Sequence, residues 1–363
     1  MSDLSLLERG YSQGLPDVPR ISLVGLDDAT WTDLINLAVS ERTVGLLAHA
    51  AQLDLIEMTE DQRDELVARH EEAMRLCLVL ERAALEVLNT FAAAGIDARL
   101  LKGAAIAHLD YPDPSCRGFG DVDVLVPSSG YEEAVRLLVA AGARRRFQEV
   151  RPGFDKRFGK GVCMLRPDGV QIDLHRTFVA GPFGLSIDLN ELFEQFPVVR
   201  LGGVDIPVLT REHRFLHACY HAALGDESPR TTALRDVAQL ILRSDLDLVD
   251  ARRTARRWRA EAVVARAIQL AWNKFGLTAS SEVAWAQNSR PTRFESRSLA
   301  AYVGPNRSYA RQMTAGVHAV RGFSAKVAYV RTLVAVSPDY ARIHDGGYRR
   351  RLSRAWASRP RRG

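Results

Sequence analysis

The sequence predicts an α/β chain of the α+β kind: a small mixed β-sheet with helices before it and a helical domain after it. Three observations carry this. The stretches at residues 121–126 (DVDVLV) and 170–175 (VQIDLH) alternate polar and apolar residues, the period of a strand with one covered face. The stretches at 60–95 and 129–142 space their apolar residues three and four apart, the period of a helix. Beyond residue 210 nearly every stretch has the helical period, so strands and helices are segregated along the chain.

Taken in order, residues 1–25 read as an irregular lead-in. Residues 28–42 form a helix with Asp27 or Asp28 as N-cap and Trp31, Leu34, Ile35 and Ala38 on one face. A longer helix starts at a capping box of Thr59 and Gln62. Its stripe runs through Leu66, Ala73, Leu76, Leu80, Ala84, Val87 and Phe91, with one polar gap at Arg69 and His70, and Gly95 ends it. Residues 97–101 are a first strand and 103–109 a helix. Residues 111–120, rich in Pro and Gly, are a loop long enough to fold over a ligand. After the strand 121–126 come a helix at 129–141, stopped by Gly142, and a short strand at 144–150. The turn Pro167-Asp168-Gly169 joins 161–166 to 170–175 as a hairpin. A boundary lies at 207–210, followed by helices at 211–224, 231–242, 246–259, 262–275 and 311–334. The expected division is an N-terminal helical region (1–95), a catalytic core (96–208), a helical C-terminal domain (209–348) and an Arg-rich tail (349–363).

Composition narrows the class. The 363 residues are 47% hydrophobic and 26% charged, which excludes wholesale disorder. No apolar run reaches the length of a membrane span. The N-terminus lacks the layout of a signal peptide, and the four scattered cysteines form no C-x-x-C pair, so reduced thiols and a cytoplasmic location are expected. The net charge is +5, but residues 349–363 hold seven arginines and no acid. The body before them is therefore net acidic and is not a nucleic-acid binder by charge. No nucleophile elbow, dinucleotide fingerprint or Walker motif is present.

Three carboxylates carry the functional reading. Asp121 and Asp123 share one face of their strand, opposite Val122, Val124 and Val126. Asp173 shares a face with Gln171 and His175. Acids repeated on one strand face repel unless a cation lies between them, and Mg²⁺ favours carboxylates plus substrate phosphates. Two such ions clamp the attacking and leaving oxygens of a phosphoryl displacement. By the same repulsion, replacing Asp123 with Asn is expected to cost no stability. Lys102, between an apolar strand and a helix opened by Gly103, is placed to meet a phosphate.

The ordered set LLKG, Tyr-Pro, Arg, DVDVLV and IDLH resembles the uncharacterised nucleotidyltransferases of the DNA polymerase β superfamily, and the resemblance covers roughly residues 100–240. The resemblance implies a nucleotidyltransferase core that moves an NMP from an NTP to a hydroxyl-bearing acceptor. Asp121 and Asp123 are then the Mg²⁺-binding pair and Asp173 the third metal-binding carboxylate. Lys102 and Gly103 match the family's LKG, which replaces the Gly-Ser signature of better-known relatives, and Arg117 matches its basic residue before the acidic pair. Lys102 and Arg117 would neutralise the phosphates. The acceptor is open between a small molecule, an RNA end and a protein. A non-catalytic nucleotide- or partner-binding module and a toxin-like tRNA-modifying enzyme are the alternatives.

Two other clusters have competing readings. His213, His217 and His221 recur every four residues, as zinc ligands or as a polar stripe facing the cleft; the family resemblance implies that His217, His221 and Asp236 border the site. Arg252, Arg253, Arg256, Arg257 and Arg259 form either an RNA-binding face or, as favoured here, a solvated face with local ion pairs.

Overall fold

The computed structural model describes residues 9–337 except 17, 244, 279, 305 and 306; the Arg-rich tail lies outside the described residues. Strands β1 (Ile21–Ser22) and β2 (Ile56–Glu57) form a small parallel pair. The main sheet contains β3 (Arg99–Leu100), β4 (Val122–Leu125), β5 (Arg144–Arg145), β6 (Gly161–Leu165) and β7 (Gln171–His175) in the spatial order β3-β4-β7-β6-β5. Only the β4–β7 pairing is parallel, so the sheet is mixed, and β6–β7 is the hairpin predicted at the Pro-Asp-Gly turn. A further hairpin, β8 (Val198–Leu201) and β9 (Val204–Pro207), was not evident from the sequence; it turns at Gly202 and Gly203, both at positive φ.

The position of β4 corrects one expectation. The alternation predicts a strand with one covered face, but β4 lies inside the sheet between β3 and β7 and every residue in it is buried. Val122, Val124 and Val126 pack with the C-terminal half of the helix Glu60–Ala93 and with the helix Tyr131–Ala140. Leu125 faces the other way, into a core shared by the helices Asp28–Ser40, Arg211–Leu224, Thr231–Leu242 and Glu261–Phe275. Asp123 is therefore a buried carboxylate at the centre of the fold, at 3% exposure.

Several helices formed as their local signals dictate. Asp27 caps the first helix through Thr30 N–H, and Thr59 with Gln62 makes the full capping box of the long one. Leu76, placed on that helix's buried stripe, is 50% exposed. The polar gap has a reason, because His70 Nε2 lies 3.1 Å from the carbonyl of Ser115. The expected helix at 311–334 is instead two helices, Tyr309–Gly316 and Phe323–Val334. The second helix is entered through Gly322, whose φ of 82° is left-handed, and it packs back on the first so closely that a Cβ at Gly316 would lie 2.4 Å from the Tyr329 hydroxyl. The helices Val44–Gln52, Ser281–Asn288 and Arg293–Leu299 were not predicted. The first is buried on most sides, so its sequence VGLLAHAAQ has no polar face to reveal a period.

The segment 111–120 is not a lid. Tyr111, Cys116, Arg117 and Phe119 are buried, and the turn Pro114–Cys116 lies on the helix Val44–Gln52. The contact is so close that a Cβ on Gly45 would sit 1.9 Å from the Ser115 carbonyl oxygen. Gly45→Ala gains at most about 1 kcal/mol of helix propensity. Overpacking against backbone costs about 1–3 kcal/mol or more, and neither backbone segment can yield as a side chain would. The variant should therefore melt lower than the wild type in a thermal scan; an unchanged midpoint would show that the two segments do not touch.

Candidate active site

The register of the sheet builds the site. β4 and β7 run parallel with Asp123 opposite Asp173, and in a parallel pair opposed residues point to the same face. His175, two residues on, shares that face. Ligand atoms of Asp123, Asp173 and His175 all lie within 4.8 Å of one another, a group able to hold a metal ion. Asp121 falls in the bend before β4 and turns to Arg42, whose Nη1 is 3.9 Å from its Oδ1. Gly120 makes that possible, since a Cβ there would be 2.4 Å from Arg42 Nη2.

Asp123 has two side-chain partners, an ammonium and an imidazole. Lys102 Nζ lies 3.1 Å from Oδ2, and His175 Nε2 lies 2.8 Å from Oδ1. Burial opposes ionisation of Asp123, but the Lys102 charge and the His175 hydrogen bond outweigh it and hold the carboxyl well below the carboxylate range. Lys102 is partly buried, and Asp123 and Asp121 outweigh that burial to raise its ammonium above the usual range. Asp121 moves the other way: burial and the neighbouring Asp123 charge raise it, and Lys102 and Arg42 only partly offset them. Asp173 accepts a hydrogen bond from Gln171 Nε2 at 3.0 Å. It faces Cys163 across the hairpin, and burial with the Asp173 charge pushes that thiol up to about 11, leaving it protonated and unreactive at neutral pH.

The donor set fits a divalent cation. Asp123 Oδ2 is buried and, although ion-paired with Lys102, has no aligned hydrogen-bond donor. Asp123 and Asp173 would supply oxygen ligands, with His175 either ligating or orienting Asp123 through its hydrogen bond.

Arg117 lies just before the acidic pair, as predicted, and its guanidinium is engaged by another carboxylate. Nε and Nη2 donate to the two oxygens of Asp236 at 2.8 and 2.7 Å, and the Tyr111 hydroxyl donates to the same carboxylate at 3.0 Å. Gly103 has φ 39° and ψ −118°, a kink that only glycine accepts, at the start of the helix Lys102–Asp110. The kink fixes where Lys102 leaves the backbone.

A cleft of about 340 Å³ opens on this face, lined among others by Lys160, Asp173, His175, Phe178, Tyr220 and His221. The three histidines of the helix Arg211–Leu224 divide. His221 lines the cleft, His217 stacks on Phe178 at 4.5 Å and meets His175 edge-on at 6.2 Å, and His213 stacks on Trp258 at 5.5 Å. Burial, reinforced by Lys102, holds His217 and His221 well below the usual imidazole range, so both are neutral at pH 7. The three do not form a metal-binding group among the described residues. The arginine run is mostly solvated, with local pairs at Arg253–Asp250 and Arg256–Glu261, both 2.9 Å, and one longer-range pair, Arg257 with Glu191 at 3.0 Å.

The family known as uncharacterised nucleotidyltransferases matches residues 27–276, more than half of the chain. The chain belongs to this family. Membership places it in the general class of nucleotidyltransferases, with the acidic group of β4 and β7 inside the matched span. Among solved structures, an antigenic nucleotidyltransferase-like protein from Paracoccidioides brasiliensis is similar at 15% identity, with a TM-score of 0.30, over 53% of this chain and 92% of that one. No curated protein matches. Among the described residues no helix is long and apolar enough to cross a membrane.

Sequence reasoning named Asp121, Asp123 and Asp173 and put His175 on the correct face. It missed Arg42 and Lys160. Arg42 reaches the site from the end of an N-terminal helix and Lys160 from the residue before β6, and neither lies in a local pattern that announces chemistry.

Proposed function

We propose that this protein transfers a nucleoside monophosphate from an NTP to a hydroxyl-bearing acceptor in the cytoplasm, with Mg²⁺ as cofactor and pyrophosphate as the second product. The observation that carries this reading is the opposition of Asp123 and Asp173 across a parallel strand pair, with Asp173 and His175 lining the cleft beside them. Mg²⁺ held by Asp121, Asp123 and Asp173 would neutralise the triphosphate and polarise the α-phosphate. Asp173, the most accessible of the β4–β7 acids, would accept the acceptor's hydroxyl proton. As that oxygen bonds to the α-phosphorus, the bond to the bridging oxygen breaks and pyrophosphate leaves with the electron pair. Lys102 keeps Asp123 ionised and oriented, and its charge lies within the field of the phosphates. Arg117 acts as a positioning residue, tying the entry to β4 to Asp236 on the helix Thr231–Leu242. The catalytic unit is residues 96–208, with the neighbouring helical regions closing the cleft.

The test is incubation of the protein with each labelled NTP, Mg²⁺ and a cell extract, following the label. Transfer to one acceptor class, with release of pyrophosphate, is the expected result. Nucleotide binding without transfer in any extract would instead identify a binding module. Growth arrest on expression, lost with Asp121→Ala, would identify tRNA or another essential molecule as the acceptor.

A further inference from the structure

We propose that Lys160 is the polyphosphate-binding cation of this cleft, taking the β- and γ-phosphates of the NTP and the pyrophosphate that leaves. The inference rests on the nucleotidyltransferase reading above and locates the part of the site that holds the leaving group.

The other cations nearby are already engaged. Lys102 is paired with Asp123 and Arg117 with Asp236. Arg42 faces Asp121, and Arg307 is occupied by the carbonyls of Tyr302, Leu224 and Gly225 at the end of the helix Arg211–Leu224. His217 and His221 are neutral. Lys160 is different. It lines the cleft beside Asp173 and His221, and its ammonium has neither an ion pair nor a hydrogen bond among the described residues. Its backbone is rigid, since the Lys160 carbonyl accepts from Arg176 N–H at 2.7 Å and from Thr177 N–H at 3.2 Å. The next residue, Gly161, draws the chain tight against β7; a Cβ there would be 2.0 Å from the Leu174 carbonyl oxygen.

A partly buried ammonium without a counter-ion is unfavourable unless a ligand completes it. Burial and the repulsion of Lys102 push Lys160 below the usual lysine range, and the site acids only partly restore it. Those acids are also the groups a divalent cation would occupy, which leaves Lys160 facing whatever anion that cation carries. A polyphosphate chain supplies that anion, and a lysine serves it as a point charge.

Lys160→Met tests this. The variant should fold with an unchanged or higher melting temperature, because an unpaired charge is removed. Stabilisation by inorganic pyrophosphate, and by NTP with Mg²⁺, should largely vanish. kcat/KM for the NTP should fall by about 10²–10³-fold, the usual effect of losing one charge-stabilising group. Lys160→Arg, which keeps the charge, should retain part of both. Wild-type pyrophosphate and NTP binding in Lys160→Met overturns the proposal while leaving the nucleotidyltransferase reading intact. A marked fall in its melting temperature also overturns it, by making Lys160 a structural cation. If the wild type is neither stabilised by nucleotide nor able to transfer it, the proposal and the reading beneath it both fail.

Discussion

Asp123→Asn is expected to abolish nucleotidyl transfer and to lower the melting temperature in the same variant. The activity loss follows from the carboxylate's place opposite Asp173, and one charge-stabilising group is worth about 10²–10³ in rate. The stability loss reverses the expectation from the sequence. Two acids on one strand face repel each other, so the sequence alone predicts that removing one charge is free or favourable. In the fold Asp123 is buried between Lys102 and His175. Relief of same-face repulsion is worth at most about 1 kcal/mol. Leaving the mostly buried Lys102 without its partner costs up to about 3–5 kcal/mol. The nearby Asp121 keeps the cost toward the lower end, and the melting temperature should fall by several degrees. Adding Lys102→Met to Asp123→Asn should recover much of the stability and none of the activity. Wild-type transfer by Asp123→Asn would remove Asp123 from the chemistry. An unchanged melting temperature would show that the Lys102 pair contributes nothing net.

Asp236→Leu should destabilise the protein by about 3–5 kcal/mol, because it strands the buried guanidinium of Arg117 and removes the acceptor of the Tyr111 hydroxyl. The double variant Arg117→Met, Asp236→Leu removes both charges and should regain most of that loss, with a coupling of more than about 1 kcal/mol between the two sites. Denaturant unfolding of the four proteins measures it. If Arg117 positions the entry to β4, Arg117→Met alone should lower stability and kcat together, with little change in KM for the NTP. If it raises KM at constant stability, Arg117 touches the phosphates directly and the positioning role is wrong.

These two outcomes turn on where the sequence stopped being informative. Local patterns produced the elements that carry the acids: the alternation in DVDVLV and QIDLH, the Pro-Asp-Gly turn between β6 and β7, and the Thr59–Gln62 capping box. Each is written in residues a few positions apart, through strand and helix periods and side chain to backbone hydrogen bonds. Those patterns were enough to put Asp123, Asp173 and His175 on the strand faces where they meet. The family resemblance in the same stretch named the general class, which the family match over residues 27–276 upholds.

Only the tertiary structure decided which charges meet. Arg117 and Asp236 are 119 residues apart, and Asp110 with Arg214, a second buried pair, are 104 apart. No local pattern encodes such distances, because a side chain's partner depends on how whole elements pack. The same holds for the covering of β4 on both faces, for the tightly packed 111–120 segment, and for Lys160 standing unpaired among the described residues in the cleft. The sequence by itself determined the carboxylates and the strands that present them. Packing determined that Lys102 and Arg117 are held by carboxylates, and that Lys160 is left facing the cleft for an anion.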